Sequence, residues 1–516
     1  MPNRSSDALF QLIKSLEKSE KRNFKLYVKR NSASEELKII QLFDALDKME
    51  EYDEVQLLKK NKSIRKQQLS NTKAHLYRQI LSSLRLLKNE DNIDIELHEQ
   101  LDHARILYNK GLYLQSLKML DRIKENAKAH NQVTFLLQVL FFEKKIEALH
   151  ITRSMQDRAD RLTGEVDDVN AHLQLISQLS NLALQLYSWY IRNGLARNEK
   201  DEIALQQFFE EHIPADLSQC QGFYEKLYQY QSFCWYAFIR QDYLLYYRYT
   251  QKWVDLFDKE PFMVGIETAH YIKGMHNLLS AHFDLLNYTK FIETLEQFEQ
   301  FSRSEVVLNS HNNLIQTFVY LHISKLNKHF LDGTFTEGLA LVPAIEEKLK
   351  EYEIYLDRHR ILVFYYKIAC LYFGSGDYER TTDYLNKIIN WKVDLRTDLQ
   401  CYSRLLHLIA HYELGNFELL EYLTKAAYRF MAKMENLSHV EEEIFKFLRK
   451  SLKLSPGRIR PEFEKLLEKL KRYEKNRFET RAFAYLDIIS WLESKIRNVP
   501  VQDVIREKHL SGNRRG

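Results

Sequence analysis

The sequence predicts an all-α fold in which pairs of helices repeat along most of the chain. Three observations lead to this class. Only 14 Gly and 7 Pro occur among 516 residues, too few for a chain rich in β-turns. Charged residues make up 28% and hydrophobic residues 45%, proportions that suit amphipathic helices. Apolar residues also recur at helical spacing between short breaks, so we expect almost no strand.

The clearest unit lies between Tyr365 and Trp391 and consists of two predicted helices. The pair Gly376-Asp377 forms a tight turn between them. Before the turn, apolar and small residues form one helical stripe: Tyr365, Ile368, Ala369 and Tyr372. After the turn, a second stripe follows: Tyr378, Thr381, Leu385 and Ile388. This spacing predicts a helical hairpin.

This order of residues resembles the tetratricopeptide (TPR) repeat. In that family a bulky residue, an apolar and small pair, an aromatic, a turn glycine, an aromatic and a small residue recur. The resemblance implies an α-solenoid, a right-handed superhelix of TPR-like hairpins whose inner helices line a concave surface. It implies an architecture rather than a chemistry, because such arrays serve many partners.

The aromatic residue after the turn sets the register of the other units. In chain order this residue is Tyr113, Tyr243, Tyr288, Phe335, Tyr378 and Phe417. From Tyr243 onward the interval is about 39 to 47 residues, longer than the roughly 34 of a standard TPR. The helices or loops should therefore be longer than standard, and a related array of the HEAT or armadillo kind stays open.

Glycine closes four of these turns, because it adopts the left-handed backbone angle at a helix end without strain. The four residues are Gly111, Gly333, Gly376 and Gly415. In two other units, Gln241 and Leu286 stand in the place of glycine. We expect those two turns to be less tightly closed.

Charge and pattern divide the chain into four segments. The net charge is +4, but the two ends are basic and the middle is acidic. We predict a basic N-terminal helical cap over residues 1–90, a TPR-like array over 91–444, a basic C-terminal helical cap over 445–510 and a disordered tail over 511–516. In the C-terminal cap, apolar spacing predicts a helix from Phe483 to Leu492, before Pro500.

Known catalytic and cofactor motifs do not occur in the sequence. It lacks the GxxxxGKS/T phosphate loop, GxGxxG, HExxH, paired CxxC and GxSxG, so we predict no enzyme activity, cofactor or metal site. His407 and His411 lie at a helical spacing that two metal ligands use, with Glu413 nearby. Because both lie on a repeat helix, we interpret them as packing residues.

The sequence also bears on the compartment. It contains neither an apolar run long enough to span a membrane nor the uncharged core of a secretory signal. Four scattered cysteines fit reduced, buried thiols better than disulfides: Cys220, Cys234, Cys370 and Cys401. We expect a cytoplasmic protein without membrane insertion.

An aromatic residue also precedes each turn, on the first helix of the hairpin. In the TPR family this place lies near the concave surface, so we predict a groove for a protein partner. Its residues are Tyr108, Phe238, Phe283, Phe330, Phe373 and Tyr412, with Trp235 and Tyr366. We expect it to be more apolar than the Lys/Asn-lined grooves by which some TPR proteins hold a carboxylate. The rings could instead only stack helix on helix.

These observations favour a nonenzymatic scaffold or adaptor that binds a peptide or helix in the aromatic-lined groove. The alternative is a TPR-containing regulator whose basic terminal helices contact DNA or RNA. The acidic middle would repel a phosphate backbone along most of the array, which places nucleic acid second. A catalytic role has no positive support among the residues.

Overall fold

The computed structural model of the protein describes residues 7–30, 34–60, 66–87, 92–150, 156–391, 397–434, 437–452, 454, 458–479 and 487–512. Throughout these residues the backbone forms helices, turns and connections but no strand, which confirms the all-α class. The chain divides into two compact units, Met1–Asn170 and Ala171–Gly516. Most of the predicted tail, residues 513–516, lies outside the described residues.

The first unit begins with helices that share one apolar core: α1 (Ala8–Ser15), α2 (Lys18–Arg30), α3 (Ser34–Lys48), α4 (Glu54–Lys60) and α5 (Lys66–Leu87). Phe24 of α2 and Phe43 of α3 are fully buried, with ring centroids 4.8 Å apart. Asp7 begins α1 because its side chain accepts hydrogen bonds from the backbone N–H groups of Leu9 and Phe10. Burial of this shared face holds the short helices together.

Three successive antiparallel helices follow: α6 (Ile93–Asn109), α7 (Tyr113–Ala129) and α8 (Val133–His150). Asn131, with φ 57°, closes the turn after α7, and the next N–H donates to the Ala127 carbonyl at 2.8 Å. This turn was not predicted from the sequence because it has neither glycine nor a following aromatic residue. The long helix α9 (Gln156–Asn193) contains the boundary between the two units.

The second unit consists mainly of hairpins, each with a first and a second helix. The pairs are α11 (Phe223–Ile239) with α12 (Tyr243–Lys259), α14 (Thr268–Asp284) with α15 (Tyr288–Phe301), α17 (His311–Asp332) with α18 (Phe335–Gly338) and α19 (Val342–Glu351), α20 (Arg358–Ser375) with α21 (Tyr378–Ile389), and α22 (Thr397–Glu413) with α23 (Phe417–Lys433). Shorter elements link them: α10 (Glu199–His212), α13 (Met263–Ile266), α16 (Glu305–Leu308) and the 3-10 helices Leu217–Gln219 and Leu339–Leu341.

First helices of neighbouring hairpins pack on one another. In this way α14 contacts α17, α17 contacts α20, and α20 contacts α22. This packing between adjacent helices is compatible with a helical repeat.

The predicted register is confirmed, since each aromatic residue after a turn is the first residue of a helix: Tyr113, Tyr243, Tyr288, Phe335, Tyr378 and Phe417. The preceding residue explains three of these starts. The side chains of Asp242, Asn287 and Asp377 each accept a hydrogen bond from a backbone N–H in the first turn. Such caps satisfy an N–H group that has no partner within the helix.

The turns close in the same way whether or not they contain glycine. At Gly376, φ is 88° and the next N–H donates to the Tyr372 carbonyl at 3.0 Å. At Gln241, φ is 60° and the next N–H donates to the Ala237 carbonyl at 2.9 Å. At Leu286, φ is 55° and the corresponding distance is also 2.9 Å. The expectation of looser turns at Gln241 and Leu286 is therefore wrong.

Tertiary contacts offset the strain of these two left-handed residues, which is on the order of 1 kcal/mol each. Gln241 is only 4% exposed, and its side-chain Nε2 donates to the Ala196 carbonyl at 3.1 Å. Leu286 packs against the apolar core that contains Phe291 and Phe298. A buried hydrogen bond or apolar contact contributes about as much free energy as this backbone strain costs.

The described residues after the hairpins form α24 (His439–Ser451), α25 (Ile459–Lys471), α26 (Ile488–Arg497) and α27 (Val501–Leu510). The predicted apolar helix ending at Leu492 corresponds to α26, although Phe483 and Leu486 lie outside the described residues. Pro500 does not end the helical chain, because it is the N-cap of α27. Helix α27 falls within the predicted C-terminal helical cap, but its packing against α17 and α20 was not predicted.

Candidate peptide-binding face

The predicted groove residues of the second unit lie in two kinds of surroundings. Four are half-buried: Trp235, Phe238, Phe283 and Phe330. Three are buried, with at most 8% of their surface exposed: Tyr366, Phe373 and Tyr412. Their role in binding a partner stays a prediction, and the half-buried rings are the ones that a partner can reach in this arrangement.

Tyr412 is enclosed by the helices that follow the hairpins. The ring centroids of Phe447 and Phe463 each lie 6.1 Å from that of Tyr412, and the centroid of Trp491 lies at 6.4 Å. Glu413, the next residue, accepts hydrogen bonds from the indole Nε1 of Trp491 at 2.6 Å and from a lysine of the same helix. The ring of Tyr412 therefore packs among neighbouring rings, and little of its surface is exposed.

The rings on α11 form a cluster with the last turns of α9. The centroid of Tyr190 lies 5.5 Å from Trp235 and 5.4 Å from Phe238. Trp235 and Phe238 are themselves 6.1 Å apart at nearly right angles. The two contacts of Phe238 are edge-to-face, whereas the planes of Tyr190 and Trp235 are tilted by 33°. Together these contacts fix the rings while leaving part of each accessible.

Tyr108, the predicted groove residue of the first unit, is half-buried in a local cluster. Its hydroxyl lies 3.2 Å from His150 Nε2, and its ring centroid lies 5.5 Å from that of Phe142. These contacts join α6 to α8.

A lysine that the sequence analysis did not single out lies between two of the accessible rings. The amine of Lys367 on α20 is 5.4 Å from the ring centroid of Phe330 and 5.9 Å from that of Phe283. It donates a hydrogen bond to Asn327 Oδ1 at 2.6 Å. First helices of three successive hairpins thus contribute to one cation-π arrangement.

A second set of cations surrounds Tyr320 on α17. The Lys273 amine lies 4.9 Å from its ring centroid, and the Arg360 guanidinium lies at 5.5 Å. The ring of His276 stacks on Tyr320 with centroids 4.3 Å apart and planes at 19°. Arg360 also reaches Asp357 at 3.4 Å. The same three first helices therefore present positive charge at two places.

The pKa values of Tyr320 and His276 are both shifted in this environment. Burial raises the pKa of Tyr320, but Lys273 and Arg360 outweigh it, so the net pKa is lowered. Burial, together with the nearby cations, lowers the pKa of His276 well below its usual value. The two cations account for the lowered pKa of Tyr320, whereas burial is the main cause of the lowered pKa of His276.

The Lys367 amine is poorly solvated. Burial lowers the pKa of Lys367 to about 8 and raises the pKa of Asp284 to about 7, while attraction between the two opposes both shifts. Asp284 is thus a carboxylate of the chain itself that partly compensates for the burial of the Lys367 ammonium group. We call this region the cation-aromatic face: Lys273, His276, Phe283, Tyr320, Asn327, Phe330, Arg360 and Lys367.

The sequence predicted a more apolar surface, and these cations were not among the predicted groove residues. They lie on first helices, as do the predicted aromatic residues, but at other positions of each helix. The spacing of Lys367 and Asn327 could have predicted this contact, because the two residues are 40 positions apart. Their separation is close to the repeat interval, so adjacent hairpins bring them together.

The histidine pair that we interpreted as packing residues makes a direct contact. His407 Nε2 lies 3.2 Å from His411 Nε2, and both rings are buried. Within the described residues, no cluster of three or more His, Cys, Asp or Glu side chains is placed to hold a metal ion. The four cysteines are free thiols, as predicted, and Cys370 is only half-buried.

In the part of the chain that the structure describes, no helix combines the length and apolar character needed to cross a membrane. The chain matches no protein-family model. Searches of the curated proteins and of the solved structures likewise give no match.

Proposed function

We propose that the protein is a nonenzymatic scaffold or adaptor that binds a segment of another protein on its cation-aromatic face. In this proposal the hairpins form the TPR-like, right-handed superhelix that the sequence resembles, and α14, α17 and α20 line its concave side. The cytoplasmic location likewise stays a prediction from the sequence.

The observation that carries this proposal is the position of Lys367 between two half-buried rings, Phe283 and Phe330. Its hydrogen bond goes to a neutral amide oxygen, that of Asn327. A carboxylate of a partner would accept a charge-assisted hydrogen bond from the amine, which is stronger than a bond to a neutral acceptor. The rings would cover an apolar side chain beside it. The expected ligand is a peptide or helix with apolar and acidic residues next to each other.

Binding of nucleic acid through the basic C-terminal helix is less favoured. Cations in and next to α25 already contact carboxylates: Lys465 reaches Glu462 at 3.0 Å, and Lys469 reaches Glu443 at 2.6 Å. A phosphate backbone would compete with these carboxylates, which reduces the gain from releasing counterions. This alternative predicts binding that disappears with salt.

A photo-reactive phenylalanine analogue at Phe330 tests the location of the partner. The matched control carries it at Tyr422 on α23, which is 67% exposed and lies outside the face. We expect the analogue at position 330 to cross-link a discrete protein in lysate treated with nuclease at high salt, and the control not to do so. Equal cross-linking at both positions, or cross-linking lost with nuclease, would overturn the proposal.

Once the partner is identified, side-chain truncation tests the energetics. Phe283→Ala with Phe330→Ala should weaken binding at least about tenfold, since central aromatic residues of an interface commonly contribute more than about 1 kcal/mol each. Tyr422→Ala is the control and should bind as the wild type does. Circular dichroism checks that both variants remain helical. Unchanged affinity in the folded double variant would show that these rings do not bind the partner.

A further inference from the structure

Three cations of the cation-aromatic face lie near one histidine. Burial is the main cause of the lowered pKa of His276, and the charges of Lys273, Lys367 and Arg360 lower it further. Among the described residues, only Arg360 of these three forms an ion pair, and its partner is Asp357. The face therefore carries more positive charge than the carboxylates in contact with it neutralise.

The two carboxylates of this region neutralise it only in part. Asp357 Oδ2 lies 3.4 Å from Arg360 Nε, and the Asp357 side chain is 61% exposed, so water screens the contact. Asp284 attracts Lys367, but burial raises the pKa of Asp284 to about 7. About half of the Asp284 side chains are therefore protonated at neutral pH. An additional anion here would meet several cations at once.

The Tyr320 hydroxyl brings three kinds of hydrogen-bond donor together. Lys273 donates a hydrogen bond to this hydroxyl, and Arg360 Nη2 lies 3.5 Å from its oxygen. Because this distance exceeds the usual range for a hydrogen bond, the guanidinium keeps donors for another acceptor. Within the described residues, the hydroxyl has no acceptor for its own hydrogen. An ammonium, a guanidinium and a hydroxyl that meet at one point match the three terminal oxygens of a phosphate group.

An open cavity gives access to Arg360. It has a volume of about 360 Å³ and lies between the first turns of α17 and α20. Its lining is mostly polar and consists of His311, Asn312, Ile315, Gln316, Tyr355, Asp357 and Arg360. A volume of this size holds about ten water molecules, which is more room than a phosphate group needs. The guanidinium can thus be reached by a charged group from outside.

We propose that the segment bound on the cation-aromatic face carries a phosphorylated residue, whose phosphate binds Arg360, Lys273 and the Tyr320 hydroxyl beside this cavity. A phosphate monoester carries about 1.5 to 2 negative charges at pH 7 and three strong acceptor oxygens, whereas a carboxylate carries one charge. The inference rests on the proposed function, because it names the class of partner for the same face. A single phosphate on a protein needs one cluster of cations, whereas a nucleic acid would place further phosphates along the acidic middle of the chain.

Binding of inorganic phosphate to the full-length protein is the first test. Isothermal titration calorimetry at low salt should give a dissociation constant below about 1 mM for the wild type. Arg360→Ala with Lys273→Ala should bind phosphate at least about tenfold more weakly. The matched control is Lys252→Ala on α12, since the Lys252 amine also lies 4.9 Å from a tyrosine ring centroid, that of Tyr249, but outside the face. It should bind phosphate as the wild type does.

The same titration can overturn the inference. It fails if the wild type binds no phosphate, or if the folded double variant binds it equally well. Circular dichroism checks the fold of each variant. If the double variant does not fold, Tyr320→Phe decides, because it removes only one hydroxyl and should still weaken phosphate binding at least about threefold.

Phosphatase treatment separates this inference from the proposed function. The protein with the photo-reactive analogue at Phe330 is added to nuclease-treated lysate that contains either phosphatase or phosphatase inhibitors. We expect at least about tenfold less cross-linking after phosphatase treatment. Equal cross-linking in both lysates would overturn the phosphorylated partner and leave the proposed function standing; phosphate binding in the first test would then point to a small phosphate compound. No cross-linked protein in either lysate would overturn both.

Discussion

Replacing Gly333 by alanine should destabilise the second unit more than the same change at Gly415. Both glycines end the first helix of a hairpin, and both have φ 73°. A Cβ atom at Gly415 meets nothing within 4 Å, whereas one at Gly333 lies 2.5 Å from the Arg506 nitrogen. The two substitutions thus share their backbone strain and differ in the contact with α27.

The expected magnitudes follow from these two terms. An alanine forced into the left-handed region costs about 1 to 2 kcal/mol, and this applies to both variants. At Gly333 the clash adds about 1 to 3 kcal/mol if α27 shifts slightly. If α27 leaves instead, the loss of burial at Val504 and Ile505 sets the limit, at about 1.5 to 3 kcal/mol for each side chain. Gly333→Ala should therefore be the worse variant by about 1 to 3 kcal/mol.

The assay is thermal unfolding of the full chain followed by circular dichroism, with hydrogen exchange to locate the change. We expect a lower midpoint for Gly333→Ala than for Gly415→Ala, and faster exchange at α27 in the former only. Equal midpoints in the two variants, with unchanged exchange at α27, would refute the close approach of α27 to the turn after α17.

Two further predictions concern buried titratable groups. Burial, with His411 beside it, lowers the pKa of His407 to about 4, below the roughly 6.5 of an unfolded histidine. The unfolded state therefore binds the proton first, and stability should fall by up to about 3 kcal/mol as pH drops from 6.5 towards 4. Urea titrations should show a smaller fall for His407→Gln, and an identical fall would contradict the assignment. In the first unit, Glu143 is buried and lies 2.7 Å from Lys124 and 3.2 Å from Arg158. Glu143→Gln should lower the free energy of unfolding by about 3 to 5 kcal/mol, because it leaves buried cations without their carboxylate. Unchanged hydrogen exchange in α7 and α8 would argue against a structural role for this network.

The hairpins were predictable because local chemistry specifies their turns. At Asp377, for example, the carboxylate accepts a hydrogen bond from the Arg380 N–H and begins the second helix just after Gly376 ends the first. Both signals lie within a few residues of each other in the sequence. The tight turn at Gln241 was not predictable in this way. Its side chain donates a hydrogen bond to the carbonyl of Ala196, which lies 45 residues away in the sequence.

The cation-aromatic face was only partly predictable. The aromatic residues followed from the register, but whether each is accessible depends on later parts of the chain. Phe330 is half-buried, whereas Tyr412 at the same register position is covered by Trp491 of α26. The positive charge required knowing that Lys367 and Asn327 lie on neighbouring first helices. A register comparison of polar residues would have shown this pairing.

The position of α27 was beyond sequence reasoning for a different reason. Its amphipathic side is visible in Val501, Val504 and Ile505, but the hydrogen bond that places it, from Thr336 to Gln502, joins residues 166 positions apart. No local sequence feature distinguishes a terminal helix that packs only on the preceding helix from one that packs back against earlier hairpins.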